Sequence, residues 1–202
     1  MQIYNFYEQN YFRNPFDSGI YVSGTFCELR GNHFHAGLDI RTGGQEGWPV
    51  LSAADGYIER VKVNTEGYGR VVYIRHTNGF TTVYGHLKEF TGELANYVNT
   101  AQYAQRKFEI ELYPKKGELN VKKGQQFALS GNTGGSGGPH VHFEIRDPKG
   151  RSTNPLLHGL TVADNIKPEI KNISVYLKSA ESLYSTGNYP YITLGRNSEY
   201  LK

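Results

Sequence analysis

The chain of 202 residues is poor in the residues that make covalent or thiolate scaffolds: it has one cysteine, one methionine and one tryptophan. A single cysteine excludes an internal disulfide and a thiolate-rich metal site. Cys27 is expected as a small buried apolar residue. No run is apolar and long enough to cross a membrane as a helix. The first twenty residues, MQIYNFYEQNYFRNPFDSGI, are aromatic and polar and lack the apolar stretch of a signal peptide, so an exported form would take its signal from elsewhere. Charge is nearly balanced, with Lys+Arg 22 against Asp+Glu 19, and basic runs stop at two or three residues. That excludes the electrostatic footprint of a nucleic-acid binder.

What the chain has is glycine (24) and tyrosine (16), which suit short strands and tight turns. A length of 202 residues buries a sizeable core in one domain with a small addition. Strands are expected at GYIERVKV (56–63), RVVYIRH (70–76), QQFALSG (125–131) and ISVYLK (173–178). In HVHFEIR (140–146) alternation puts His140, His142, Glu144 and Arg146 on one face and Val141, Phe143 and Ile145 on the other. In FTTVYGHL (80–87) the same parity groups Phe80, Thr82, Tyr84 and His86 on a polar face. One helix is expected around 93–109, with Leu94, Tyr97, Val98 and Ala101 at helical spacing, followed by the strand-like FEIEL (108–112). It reads as an insertion, 92–118, in an otherwise all-β domain. AADGYIERVKV and VKKGQQFALSG echo each other as halves of a duplicated hybrid motif. A lipoyl- or biotinyl-type carrier shares such halves, but no lysine sits on a suitable hairpin. After Pro168 a new strand pattern begins, so 1–163 is expected as one domain with an N-terminal extension, 1–19, and 164–202 as a linker and the start of a truncated β-sandwich, the alternative being that 169–202 packs on the main domain.

Three stretches carry the chemistry: HFHAGLDI with His35 and Asp39, VYGHL with His86, and GPHVHFEI with His140 and His142. Zinc catalysis needs three protein ligands and an open position for water, whose pKa the metal lowers to about 7. In HAGLD the pair is spaced i, i+4, but Gly37 argues against a regular helix and for a loop or strand edge. In HVH the i, i+2 spacing points both rings the same way on a strand, ~7 Å apart at Cα. One can bind a metal while the other stands beside the open position. His33, His76 and His158 are read as surface residues, with His33 near enough to support the site. The glycine-rich loop 131–139 lacks the GK[ST] ending and following helix of a phosphate cradle, so it reads as a wall of a cleft.

HxxxD, then YGHL, then SGNTGGSGGPHVHFEIR resembles the lysostaphin-type, or LytM-like, zinc endopeptidases of peptidoglycan, over roughly residues 20–157. The resemblance implies an antiparallel β-sheet groove walled by loops. It implies zinc held by His35, Asp39 and His142, with His86 and His140 as the catalytic pair. His140 would be the general base and His86 would hold the substrate or stabilise the oxyanion, and these roles can be exchanged. Glu144 is expected as a structural carboxylate that orients a histidine. The partner implied is the peptide stem of peptidoglycan, and the location the cell envelope, periplasmic or secreted. A non-catalytic member that binds the wall or activates an amidase is the alternative, although such relatives lack ligands and this chain has all five positions. The insertion and the wording ELRGNHFHAGLDIRTGGQEGWPV resemble members from Bacteroidetes-type bacteria, which implies cleavage of the D-Ala–diaminopimelate cross-link. The insertion is expected beside His86, as a cleft wall, a lid or a docking point for an envelope partner. The aromatic N-terminus is expected to cross the groove.

Overall fold

The computed structural model describes residues 9–31 and 33–162. The expected strand at 173–178 and the start of a further domain lie outside them, as do residues 1–8. Among the described residues no helix is long and apolar enough to cross a membrane.

The alternating segment HVHFEIR organises the sheet. It forms β10 (His140–Arg146), which sends Val141, Phe143 and Ile145 into the main core and the polar set to the other face. Its two neighbours bring the rest of the site. On one side lies β2 (Leu38–Arg41), where His142 pairs with Asp39. On the other lies β6 (Thr81–Phe90), where His142 pairs with Gly85. The sheet continues antiparallel from β6 to β5 (Arg70–His76), β4 (Gly56–Val63) and a short β7 (Ile110–Leu112), and it ends beyond β2 at β1 (Val22–Gly24). Short pairings complete it. β9 (Gln126–Ser130) joins β6 to β3 (Pro49–Leu51), β8 (Asn120–Val121) joins β4, and β11 (Ser152–Thr153) joins β10. All eleven strands among the described residues pair antiparallel, as the all-β expectation requires.

The core lies on the face away from the site histidines. Leu38, Ile40, Ile58, Ile74, Tyr84 and Phe143 are at most 1% exposed there. Each such side chain contributes about 1.5–3 kcal/mol of burial free energy. The described part of the N-terminal extension belongs to this core. Phe12 and Phe16 are buried in it, and the backbone is tied down by Arg13 N–H to the Ala53 carbonyl and by Leu51 N–H to the Pro15 carbonyl, both 2.9 Å. Residues 9–19 therefore do not cross the groove, because two phenylalanines gain more from the core than from an open cleft.

The insertion also departs from expectation. Its helix α1 runs Gly92–Gln105 and stops at Arg106, which caps it in the left-handed conformation at φ 51°. Leu94 and Val98 hold one face of α1 on the core. The chain then adds β7 to the far side of β4. Strand order thus puts β5 and β4 between the insertion's strand and β6, and no insertion residue lines the histidine cleft. Three single residues differ as well. Cys27 is exposed on a tight turn at φ 64° rather than buried. His76 and His158 are 4% and 1% exposed rather than on the surface.

Candidate metal centre

The site is a cleft of about 460 Å³ on the outer face of the sheet. His35, Asp39, His86, His140 and His142 all line it, with Gly135, Ser136 and Gly137 of the glycine-rich loop along one wall. His33 lines it too.

His35 comes from the turn before β2, Asp39 from β2, and His140 and His142 from β10. Gly37 allows the first of these approaches. A Cβ there would stand 2.2 Å from the Phe143 carbonyl oxygen, so any side chain would push His35 and Asp39 off β10. His86 arrives differently from the expected parity. Tyr84 lies in the main core, while Val83 packs with Val71 and Tyr73 on the outer face. Regular alternation would therefore bury His86 with Tyr84. Instead His86 adopts φ 60°, the β5–β6 register shifts nearby, and its N–H bonds the Tyr68 carbonyl at 2.8 Å. The left-handed residue turns the ring onto the outer face, 4.7 Å from His140 between centroids. Such strain in a non-glycine residue is characteristic of functional sites.

Each imidazole has one nitrogen fixed by an acceptor. His35 Nδ1 lies 2.8 Å from the Thr25 carbonyl, His86 Nδ1 2.8 Å from that of Thr133, and His140 Nδ1 2.8 Å from that of Gly138. A carbonyl only accepts, so each Nδ1 donates and each Nε2 keeps its lone pair. His142 is reversed: its Nε2 donates to Glu144 Oε1 at 2.9 Å, which leaves Nδ1 free of hydrogen. Glu144 also accepts from Tyr68 OH at 2.6 Å and Arg146 Nε at 2.7 Å. It therefore has the orienting role expected from the sequence.

The free nitrogens of His35 and His142 converge on Asp39. His35 Nε2 and His142 Nδ1 are 3.0 Å apart, and Asp39 Oδ1 lies 3.0 and 3.1 Å from them. Three acceptors at this spacing repel unless a proton or a metal ion sits among them. Zinc–ligand distances of about 2.0–2.2 Å put neighbouring donor atoms of a tetrahedral ion about 3.3–3.5 Å apart, so the triangle fits one to within a few tenths of an ångström. His140 Nε2 stands just outside it, 3.4 Å from the same oxygen. The other oxygen of Asp39 is taken by Arg30 Nη2 at 2.8 Å.

The electrostatics agree. Burial opposes ionisation of Asp39, yet His140, His142 and His35, which can donate to it once protonated, hold its carboxyl well below the ordinary range. Burial alone would lower His142, but Asp39 and Glu144 more than reverse this. The centre is thus built for positive charge between Asp39 and its histidines. Burial raises Glu144, and its bonds to His142 and Arg146 bring it down to about 2. Burial pushes His86 down to about 4.

Two contributors were not singled out in the sequence. Tyr68 stacks on His142 at 4.9 Å and 23° while donating to Glu144. Its setting, NTEGYG, reads only as a turn. Arg30 fixes Asp39, and the signal for it is Gly24, where a Cβ would meet both Arg30 Nη2 and Asp39 Oδ2 within 2.5 Å.

Comparison with known proteins shows the family. An uncharacterised metalloprotease of Haemophilus influenzae is 35% identical over 151 residues, covering 74% of this chain and 26% of the relative. The DD-carboxypeptidase/endopeptidase Mpg of Neisseria meningitidis is 30% identical over 149 residues, covering 74% and 28%. The chain thus spans about a quarter of the length of these relatives. A zinc-containing peptidase from Vibrio cholerae superposes with a TM-score of 0.53 at 27% identity, covering 73% of this chain and 39% of that one. Residues 33–110 and 111–155 match the profile of peptidase family M23, and the chain belongs to that family, in its lysostaphin/LytM type.

Proposed function

We propose that this chain is a zinc-dependent endopeptidase that cleaves peptide cross-links of bacterial peptidoglycan in the cell envelope, with the D-Ala–diaminopimelate bond as its target. His35, Asp39 and His142 are the metal ligands, and His86 and His140 the catalytic pair. The observation that carries this reading is the 3.0–3.1 Å triangle of hydrogen-free donor atoms with two further imidazoles beside it. The substrate class is supported by the DD-carboxypeptidase/endopeptidase among the relatives.

A zinc ion held there supplies Lewis acidity to the scissile carbonyl and to water. The protein's own part is proton transfer. His86 and His140 both have Nδ1–H engaged by carbonyls, so each presents Nε2 as an acceptor. In this state either can act only as a base. One takes a proton at Nε2 from the attacking water and returns a proton to the departing amine nitrogen. A donor role toward the oxyanion falls to a ring that has first taken up a proton. His140 is the base of choice, because its Nε2 lies 3.4 Å from the ligand atom of Asp39. The glycine wall leaves room for an extended peptide backbone.

The test is metal analysis together with digestion of purified sacculi, products being identified by mass spectrometry. One zinc per chain and peptide products cut at D-Ala–diaminopimelate are expected. Bound zinc with no hydrolysis of any muropeptide would overturn the enzyme reading in favour of a wall-binding or amidase-activating module.

A further inference from the structure

The outer face of the sheet carries a second depression, of about 320 Å³, at the Arg146 end of β10. Arg60, Arg75 and Arg146 line it together with Tyr73 and Tyr113, and Glu59, its one acidic lining residue, lies 3.6 Å from Arg75 Nε. Each guanidinium is anchored along one edge. Arg60 is held by Glu111 at 2.6 Å, Arg75 Nη1 by the Gly79 carbonyl at 2.8 Å, and Arg146 Nε by Glu144 at 2.7 Å. Tyr73 brings two of them together, with Arg60 4.5 Å and Arg146 5.5 Å from its ring centre. The arginines are about a third exposed or less. Three preorganised guanidiniums with part of their N–H groups facing one small depression make a receptor for a planar anion.

Position says which anion. Arg146 lies four residues along β10 from His142 on the same face. At about 3.3 Å per residue that is roughly 13 Å, which an extended peptide spans in about four residues. Tyr68, Val71, Val83 and Tyr73 pack together on the same outer face.

We propose that this depression is a subsite for a carboxylate of an acidic peptide lying along the outer face, about four residues from the bond cleaved at the histidine centre. The proposal rests on the peptidase reading for the position of the cleaved bond, but the anion receptor itself does not. It makes the chain selective for a stem that carries a free carboxylate over the same stem amidated.

Two peptide substrates differing only in a carboxylate or carboxamide at that distance test it. The wild type should favour the acid about tenfold, through KM, as expected for a charge-assisted contact at a partly exposed site. The double variant Arg60→Gln/Arg75→Gln should lose this preference and cut the amide as well as the wild type does. Arg146 is left intact because Glu144 links it to His142. An indifferent wild type, or a variant that loses both activities equally, would overturn the proposal. If neither peptide is cut, the peptidase reading fails and the subsite is judged by binding. The side-chain Nε–H resonances of Arg60, Arg75 and Arg146 should then shift with the acid peptide and not with the amide. No shift, or equal shifts, would overturn it.

Discussion

His142 and His76 are both 4% exposed, yet they sit on opposite faces of one sheet and meet different chemistry. On the core face, His76 Nδ1 donates to the Asp55 carbonyl and Nε2 meets the Thr82 hydroxyl at 2.7 Å. His158 Nε2 likewise meets the Thr153 hydroxyl at 2.8 Å. A hydroxyl can turn its hydrogen to either lone pair, so these neutral rings are satisfied without an ion. On the outer face, the lone pairs of His35 and His142 meet only each other and a carboxylate. Burial does not separate the two kinds of histidine. Convergence of acceptors without hydrogens sets the proposed metal centre apart.

The largest effect should follow from breaking that convergence. Asp39→Ala or His142→Ala is expected to abolish zinc binding and hydrolysis together, whereas His76→Asn keeps the metal. Metal analysis and thermal unfolding with zinc distinguish them. Saturation at about a thousand times Kd stabilises a binding protein by about 4 kcal/mol, and the ligand variants should show none of this. A His142→Ala protein that still takes up one zinc would remove the basis for the comparison.

Next comes a change within the outer face. His140→Ala should retain zinc and lose about 10²–10⁴ in kcat, the usual range for a general base. Loss of zinc as well would move His140 from the catalytic pair to the ligands.

Much of this contrast was legible in the sequence, and the exceptions have physical causes. The period-2 pattern of HVHFEIR fixed which rings face outward, because the opposite face needed Val141, Phe143 and Ile145 for the core. His86 reached its expected neighbours by an unexpected route. Parity counts only residues in extended conformation, and the φ of 60° at His86 breaks the count. His76 and His158 read as surface residues because a lone polar side chain gives no hint of the threonine that will satisfy it. Tyr68 was not legible at all. It reaches Glu144 from the loop before β5, a contact of 76 residues' separation that no local pattern encodes.

A smaller effect should come from the shell that orients the ligands. Glu144→Gln leaves the shape of the site but removes the charge that holds the Nε2–H of His142. Outer partners of this kind are worth about 10–100-fold in metal affinity. Competition with a chelator of known affinity measures it. Tyr68→Phe, which removes one donor to the same oxygen, should fall below that range. Unchanged zinc affinity in Glu144→Gln would reduce Glu144 to a packing role.

The smallest effect belongs to the core face and has a definite sign. Burial brings His76 down to about 4 from 6.5. Between those values the unfolded chain binds more protons than the folded one, so stability falls as pH drops through the window and is fully present above 6.5. At pH 5.5 the loss is about 1 kcal/mol for this histidine. His158, also held down to about 4 by burial, acts in the same direction. Denaturant unfolding of the metal-free protein, wild type against His76→Gln, isolates the effect from loss of zinc. The variant is less stable at neutral pH, having lost a fitted ring, but its stability should decline less between pH 6.5 and 5. Parallel profiles would mean that His76 accepts a proton in place. The two faces would then differ in their ligand atoms but not in their tolerance of charge.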